Sequence, residues 1–335
     1  MLQSLLLDNK NISKMGRISW QDRAAVFSYP GVTFSFVTNA EKAFITAHCL
    51  EGKGRIDVFL DDKLTKQWVI TSKLKEYQLL GKLKSRPVCV TIVNRGETWH
   101  GVISISKLHL QNGDILTPLP QPQRKLLIIG DSVTCGALMT RATEGIKGPQ
   151  LSNAAQSYGM VMANMLDAQV HLIGYGGRGL TRSWDGNPTD LQAPDFFEYA
   201  VPRNIEPIAW NHQNYTADVI LIALGTNDFH LGVPDKDQFI ATYVNFIKRL
   251  LQLHPQAMIF ITEGPMLNDT DPTMPYKTIA TSYLKQVVLQ FSSANVSYMS
   301  STFYPGDNLD PHPTEQQHQH IADDFATQLK AILDW

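Results

Sequence analysis

The sequence has little of what marks several large classes of protein. Its three cysteines, Cys49, Cys89 and Cys135, are widely separated and form no CxxC pair. Their odd number and spacing argue against a disulfide framework and against a zinc site, so we predict buried or semi-buried free thiols. Charged residues make up only 18% of the chain, the formal net charge is −2, and no basic block occurs. Neither nucleic acid nor an anionic membrane is therefore expected as a partner.

Long apolar runs are also missing. No run approaches the roughly 20 residues that span a bilayer, and residues 1–13 lack the basic start, the apolar stretch and the cleavage site of a secretory signal. We therefore expect a cytoplasmic protein as the chain is written, or a secreted or periplasmic one if an export signal has been trimmed. The chain has 335 residues, of which 43% are hydrophobic. That is enough for one large or two medium domains.

The first part of the chain, residues 1–117, predicts a β-sandwich. Short runs rich in β-branched and aromatic residues recur there, for example at 32–37, 55–60 and 87–93. Many short strands at near-regular spacing are typical of that fold. Residues 118–123 carry three prolines, which neither a strand nor a helix tolerates, so we predict a linker.

The remainder, residues 124–335, predicts a doubly wound α/β domain. Helical periodicities separate the predicted strands, and Thr314 and Gln317 form a predicted capping box at the start of the last helix. The predicted buried parallel strands are the continuous apolar runs at 125–129, 169–173, 218–224, 257–261 and 296–299. The alternation predicts a five-stranded parallel sheet, and ligands of such sheets bind at the carboxyl ends of the strands.

Four groups of polar and glycine residues follow the predicted strands. They are Gly-Asp-Ser at 130–132, a glycine-rich stretch at 174–179, Gly-Thr-Asn-Asp at 225–228 and Asp-Pro-His at 310–312. Acyl transfer needs such a set, because a serine nucleophile requires an imidazole base, the base requires an orienting acceptor, and the oxyanion requires fixed donors. The sequence therefore predicts a serine hydrolase site at this edge of the sheet.

In this order, the four blocks resemble those of the GDSL/SGNH hydrolases. Further stretches narrow the resemblance to carbohydrate esterase family two, namely Asn-Arg-Gly-Glu-Thr-Trp-His-Gly at 94–101, Gly-Arg-Gly-Leu at 177–180, Leu-Gly-Thr-Asn-Asp-Phe at 224–229 and Gly-Pro-Met-Leu at 264–267. The resemblance covers nearly the whole chain. It implies a jelly-roll sandwich packed on a flavodoxin-like SGNH domain, and an acetyl esterase that acts on plant polysaccharides.

The resemblance also implies roles for single residues. Ser132 would be the nucleophile and His312 the general base. The oxyanion hole would combine the backbone N–H groups of Ser132 and Gly177 with the side-chain amide of Asn227.

The group that orients His312 is left open by the sequence. In the broad superfamily an aspartate stands three residues before the histidine, where this chain has Leu309. Asp310 stands two before, as in family two, but Pro311 replaces the tryptophan that usually lies between. Either the Asp310 carboxylate or a backbone carbonyl near Pro311 could orient the imidazole.

Several other side chains are weaker candidates. Tyr175, Trp184 and Trp210 are predicted as possible substrate contacts, although aromatic residues more often pack in the core. His318 and His320 lie at i, i+2 and so face different sides of a helix, unlike a zinc pair. We predict a solvated helix surface for these two histidines, no metal ligand and no cofactor.

Taken together, the residues and the resemblance predict a carbohydrate O-acetyl esterase of the acetyl xylan or glucomannan deacetylase type, with an acetylated oligo- or polysaccharide as its partner. The alternatives are a carbohydrate-binding protein with secondary or lost esterase activity, because lectin-like domains share the sandwich architecture, and a short-chain lipase or thioesterase.

Overall fold

The structure is a computed structural model, and it describes residues 2–81, 86–118, 120–141, 146–202, 206–291 and 295–335. Its strands are β1 (Leu2–Leu5), β2 (Ser13–Met15), β3 (Ser19–Gln21), β4 (Ala24–Phe27), β5 (Thr33–Thr38), β6 (Lys42–Gly52), β7 (Gly54–Leu60), β8 (Lys63–Ile70), β9 (Lys75–Leu80), β10 (Val88–Asn94), β11 (Gly101–Gln111), β12 (Arg124–Gly130), β13 (Ala168–Gly174), β14 (Tyr199–Val201), β15 (Ile208–Ala209), β16 (Val219–Ala223), β17 (Met258–Thr262) and β18 (Val296–Tyr298). Its α-helices are α1 (Tyr158–Met165), α2 (Ala193–Phe196), α3 (Thr226–His230), α4 (Lys236–Leu253), α5 (Tyr276–Val288) and α6 (Glu315–Ile332).

The first eleven strands form two antiparallel sheets, as predicted. One has the order β3-β4-β11-β6-β9 with β1 also paired to β11, and the other has the order β2-β5-β10-β7-β8. Alternate side chains of β6, from Ala43 and Ile45 to Ala47 and Cys49, are buried, while those between them are half-buried. This period of two places one face of each sheet in the shared core. The boundaries of the predicted linker stay a prediction, since residue 119 lies outside the described residues.

The later strands form the predicted five-stranded parallel sheet. Its order is β13-β12-β16-β17-β18, which is the 2-1-3-4-5 order of a flavodoxin-like doubly wound fold. In the register, Gly130 at the end of β12 lies opposite Gly174 of β13 and Ala223 of β16. Three strands therefore end at one level, and the loops that carry the predicted motifs begin side by side.

Helix α6 confirms one prediction and contradicts another. The Thr314 hydroxyl accepts from the Gln317 N–H at 3.3 Å, and the Gln317 side chain accepts from the Thr314 N–H at 2.9 Å, which is the predicted capping box. The predicted solvated surface is wrong for His318, which is fully buried against Tyr158 of α1, whereas His320 is exposed.

The physical reason lies in the spacing of the α6 side chains. His318 shares one face of α6 with the buried Ile321 and Phe325, since residues three to four apart lie on the same side of a helix. Its Nδ1 accepts from the backbone N–H of Tyr158 at 3.1 Å. Burial lowers the pKa of His318 to about 3, so a neutral ring serves as a core residue.

The two β layers of the sandwich and the α/β layer are joined by buried polar contacts. The guanidinium of Arg17, which is buried in the sandwich, donates to the carbonyls of Phe197 and Tyr199 in the α/β part. The Tyr29 hydroxyl donates to the Phe196 carbonyl at 2.6 Å. Since buried donors need partners, these bonds fix how the two parts meet. Within the described ranges, no helix is both long and apolar enough to cross a membrane.

We expect the capping box to contribute measurably to stability. Thr314→Ala removes the acceptor for the Gln317 N–H and should lower the free energy of unfolding by about 1 kcal/mol, measured by urea denaturation. Thr314→Ser keeps the acceptor and is the matched control, so an equal loss in both variants would contradict this account.

Candidate active site

The candidate nucleophile, Ser132, stands directly after β12. Glycine is required at the end of β12, because a side chain at Gly130 would come within 2.1 Å of the Thr134 hydroxyl and 3.1 Å of the Ala223 carbonyl. The Val133 N–H donates to the Asp131 carboxylate at 3.0 Å and stabilises the turn. The Ser132 hydroxyl is thereby presented at the carboxyl edge of the sheet, as the sequence predicted.

His312 approaches that hydroxyl from the segment before α6. Its Nε2 lies 3.0 Å from the Ser132 Oγ, and its Nδ1 lies 2.7 Å from the Asp310 Oδ1. An ionised carboxylate only accepts hydrogen bonds, so Nδ1 carries the hydrogen and Nε2 is left to accept the hydroxyl proton of the serine. Of the two orienting groups that the sequence left open, the structure brings the Asp310 carboxylate to the ring.

The Asp310 carboxylate is held in its ionised form. Burial alone would raise its pKa, but the His312 N–H at 2.9 Å, the imidazole and the Lys147 ammonium at 3.0 Å outweigh burial and lower the pKa below its usual value. The Lys147 side chain is 64% exposed, so its contribution is screened by solvent. The carboxylate therefore stays charged wherever His312 acts as a base.

The segment that carries His312 is held by hydrogen bonds from Arg141, a residue that was not predicted from the sequence. Its guanidinium donates to the carbonyls of Asp310 at 3.0 Å and His312 at 2.6 Å, and to the Asp307 carboxylate at 2.7 Å. The same segment folds tightly over Gly306, which has φ +71°, and a side chain there would lie 2.3 Å from the Asp310 carbonyl. Nothing in the sequence near Arg141 indicates these distant partners.

The three residues predicted to form the oxyanion hole, Ser132, Gly177 and Asn227, line one cavity. In the described part of the chain, neither the Ser132 nor the Gly177 backbone N–H donates to a protein acceptor. The Asn227 amide donates to the Arg178 carbonyl at 2.8 Å and to the Asp131 carboxylate at 3.4 Å, and the residue lines the cavity. Gly177 has φ +77°, and a side chain there would meet the Trp184 ring at 2.8 Å. The indole therefore covers this glycine.

The glycine-rich loop is anchored by a buried carboxylate, that of Asp228. It accepts from the backbone N–H groups of Leu180 at 2.9 Å and Thr181 at 2.7 Å, and from the Thr181 hydroxyl. A side chain at Gly179 would lie 2.4 Å from the same carboxylate, so only glycine allows this approach. The Gly-Thr-Asn-Asp block thus positions the loop as well as contributing Asn227.

A cavity of about 550 Å³ opens over these groups. Its walls include Ser132, His312, Asn227 and Gly177, together with two of the three predicted aromatic contacts, Tyr175 and Trp184. The volume lies in the range of about 300–1,000 Å³ that is usual for small-molecule sites.

The third aromatic candidate, Trp210, is not at the site. It packs 6.0 Å from the His171 ring and 5.4 Å from the Arg17 guanidinium, both centroid distances from the indole. The prediction placed it after an active-edge strand, but the strand before it, β15, belongs to a separate two-stranded sheet. The loop therefore returns Trp210 to the core.

Two cavity residues that the sequence analysis did not single out come from the sandwich. Glu97 and Trp99 line the cavity although they lie between β10 and β11. The Glu97 carboxylate accepts from the Ser152 hydroxyl at 3.0 Å and from the Trp99 indole at 3.1 Å. A side chain at Gly176 would lie 2.3 Å from the Glu97 carboxylate, so glycine is required where the two parts touch. Both residues lie in the 94–101 stretch that carried the family resemblance, yet no local pattern indicates contact with another layer.

The environment of Glu97 has an electrostatic consequence. Burial, with a smaller contribution from nearby Asp131, raises the pKa of Glu97 to about 7.

Over the described residues, no group of three or more histidine, cysteine, aspartate or glutamate side chains is arranged to hold a metal ion.

Comparison with known proteins agrees with this geometry. The carbohydrate esterase 2 N-terminal family model matches residues 14–120, and the GDSL-like lipase/acylhydrolase family model matches residues 128–325. An acetylxylan esterase/glucomannan deacetylase from Cellvibrio japonicus is 37% identical over 333 residues, which cover 99% of this chain and 92% of that protein. The chain belongs to carbohydrate esterase family two. Its hydrolase part places it among the GDSL-like acylhydrolases.

Solved structures of family two show the same architecture. A family two carbohydrate esterase from Cellvibrio japonicus superposes with a TM-score of 0.95 at 37% identity, over 100% of this chain and 99% of that one. A family two esterase from Clostridium thermocellum, solved in complex with cellohexaose, gives a TM-score of 0.88 at 25% identity over 97% and 99% of the two chains. This chain thus shares its sandwich and its parallel sheet with both of these esterases.

We expect Glu97 to make stability depend on pH. The pKa of Glu97 is raised in the folded protein from 4.5 to about 7, so the folded state favours the protonated carboxyl. The free energy of unfolding that this contributes is fully present below about pH 4.5, and it is lost as the pH rises through about 7. Glu97→Gln cannot titrate. Between about pH 4.5 and pH 7.5 the wild type should lose up to about 3 kcal/mol of unfolding free energy that the variant does not lose. Urea denaturation at each pH measures this difference.

The exposed Glu76 supplies the matched control, Glu76→Gln. If the Glu97→Gln and Glu76→Gln proteins show the same pH slope as the wild type, Glu97 does not titrate as described.

Proposed function

We propose that this family two protein hydrolyses acetyl esters on carbohydrates through an acetyl-enzyme intermediate. The observation that carries the proposal is the hydrogen-bonded chain from Ser132 through His312 to Asp310, which opens on a substrate-sized cavity. The relative from Cellvibrio japonicus, named as an acetylxylan esterase and glucomannan deacetylase, supports acetylated xylan or glucomannan as the substrate class.

In the first half-reaction the Ser132 oxygen attacks the acetyl carbonyl. His312 takes the hydroxyl proton on Nε2, and the Asp310 carboxylate stabilises the imidazolium that forms. The same proton then passes to the departing sugar oxygen, which leaves as an alcohol. In the second half-reaction, water gives one proton to His312 and attacks the acetyl-enzyme carbonyl. His312 then returns that proton to the departing Ser132 oxygen, and the acetic acid that is released ionises to acetate.

The negative charge of each tetrahedral intermediate needs donors that are fixed in advance. The backbone N–H groups of Ser132 and Gly177 and the Asn227 amide are proposed for this role, because they border the cavity beside the Ser132 hydroxyl. The loss of one such donor typically costs about 10²- to 10³-fold in rate. Trp184 supports the arrangement by packing on Gly177.

The shape of the cavity suits a short acyl group on a sugar. Ala137, Leu138 and Met266 supply apolar surface near the catalytic residues, where an acetyl methyl group can be buried. Tyr175 and Trp184 offer flat aromatic surface in the same cavity, to which the apolar face of a sugar ring can pack.

The first test is acetate release from acetylated xylan, acetylated glucomannan and a simple aryl acetate. Ser132→Ala should lose activity on all three by about 10⁴-fold or more, because the nucleophile is gone. Ser282→Ala, which removes an exposed serine of α5 whose hydroxyl donates only to the Ile279 carbonyl of the same helix, is a control for general damage. Undiminished release by Ser132→Ala would refute the serine mechanism, and binding without release by the wild type would favour the carbohydrate-binding alternative.

A second test addresses the orienting group. Asp310→Asn keeps the size of the side chain but removes the charge that fixes the His312 tautomer, so kcat should fall by about 10³- to 10⁴-fold. Lys147→Ala, which removes only the exposed partner of the same carboxylate, should change kcat by less than about fivefold. A fall of under tenfold in Asp310→Asn would indicate that a backbone carbonyl orients the ring instead.

A further inference from the structure

Helix α3 brings a second polar side chain into the catalytic cavity besides that of Asn227. His230 stands three residues after Asn227, at the end of the helix, and both residues line the cavity. Side chains three residues apart lie on the same side of a helix, with their Cβ atoms about 5–6 Å apart. A ligand whose carbonyl oxygen lies against the Asn227 amide therefore also has the imidazole of His230 beside it.

Most other polar side chains of the cavity wall already have partners within the protein. Glu97 accepts hydrogen bonds from Ser152 and Trp99, and Arg178 pairs with Asp190. The catalytic chain and the Asn227 amide are bonded as described above. A substrate hydroxyl that approached one of these groups would have to compete with an existing hydrogen bond, which reduces the net gain.

His230 is free of such partners. It is exposed, and in the part of the chain that the structure describes neither of its ring nitrogens forms a hydrogen bond. Its ring meets that of Trp184 at 5.8 Å between centroids, and this indole in turn covers Gly177. The Thr226 hydroxyl of the same cavity also has no partner, but it is buried. A neutral imidazole offers one donor and one acceptor, so His230 is an exposed group of the lining that matches a hydroxyl.

An acetylated sugar carries a hydroxyl group close to its ester. The ring carbon that bears the acetyl group is bonded to carbons that bear hydroxyls in an unsubstituted sugar, and a hydroxyl both donates and accepts hydrogen bonds. This neighbouring hydroxyl is among the polar groups nearest to the acetyl carbonyl. A simple aryl acetate has none at that place. Contact with the neighbouring hydroxyl would therefore distinguish a sugar ester from other acetyl esters.

We propose that His230 selects the substrate by hydrogen bonding to the sugar hydroxyl on the carbon next to the one that carries the acetyl ester. This inference rests on the proposed esterase function, and it extends that function from the ester to the sugar that bears it. The imidazole orients the sugar while its acetyl carbonyl lies against the Asn227 amide. His230 is thus a residue of substrate specificity, and the chemistry at Ser132 does not require it.

The test uses methyl xylosides that carry one acetyl group, at O2 or at O3. Each is compared with the analogue in which hydrogen replaces the hydroxyl on the other of these two carbons, and initial rates are measured for the regioisomer that the wild type hydrolyses faster. Loss of the hydroxyl should lower the wild-type kcat/KM by about fivefold, as the loss of one hydrogen bond implies.

Two variants of His230 complete the comparison. His230→Phe keeps a flat ring against Trp184 but has no polar atoms, so its kcat/KM on the intact xyloside should fall by about fivefold. Removal of the hydroxyl should then cause no further fall, because the two changes remove the same interaction. His230→Gln keeps a donor and an acceptor and should recover part of the loss. Both variants should hydrolyse an aryl acetate at the wild-type rate.

The matched control is His320→Phe, which makes the same change at an exposed histidine of α6 that does not line the cavity. It should behave as the wild type on every substrate. A wild type that treats the intact and deoxy xylosides alike would overturn the proposal, and so would a His230→Phe protein that still distinguishes them. A fall on the aryl acetate in His230→Phe would also overturn it, because the ring would then serve only to support Trp184 and the loop of Gly177.

A failure of the proposed function gives a different result. If the wild type hydrolyses the aryl acetate but neither xyloside, the protein is an esterase of another substrate class, and the role of His230 falls with the carbohydrate assignment. If the wild type hydrolyses all of them and the His230 variants match it, the carbohydrate esterase function stands and only this inference is refuted.

Discussion

Strand β12 is paired on both sides, and Gly130 at its end lies level with Gly174 and Ala223 of its neighbours. Parallel pairing brings the three strand ends to one edge, so the loops that follow must share a small space. Ser132, the glycine-rich turn and the amide of Asn227 are neighbours for this reason, although Ser132 and Asn227 are far apart in sequence. A slip of one residue in this register would move alternate side chains to the opposite face and separate these loops.

Each loop at that edge is held by a polar side chain rather than by apolar packing alone. Asp228 accepts hydrogen bonds from the glycine-rich loop, and Arg141 donates hydrogen bonds to the segment of His312. Glu97 lies against Gly176. Hydrogen bonds are directional, so they fix the backbone more closely than apolar contacts do. Fixed geometry is what a site requires when its donors must be in place before charge develops.

The sequence was sufficient for the features that repeat along the chain or depend on neighbouring residues. Continuous apolar runs indicated the parallel sheet. The Thr314 capping box could be predicted because its two members stand three residues apart. The sequence was insufficient where contacts between segments far apart in the chain determine the position of a side chain. The prediction that His318 is solvated used only the spacing between His318 and His320. That spacing does not indicate which face of α6 packs against α1. Trp210 was misplaced because nothing local indicates which sheet β15 joins.

The contacts of the 94–101 stretch reach across the boundary between the two parts of the molecule. The Thr98 hydroxyl donates to the carbonyl of Gly174 at the end of β13, next to the place where Glu97 meets Gly176. The backbone turn of the hydrolase part is thus completed by atoms that another fold supplies. A hydrolase domain excised from this chain would lack one wall of its own pocket. The sandwich is therefore a structural part of the pocket wall, in contrast to a binding module that hangs on a flexible linker.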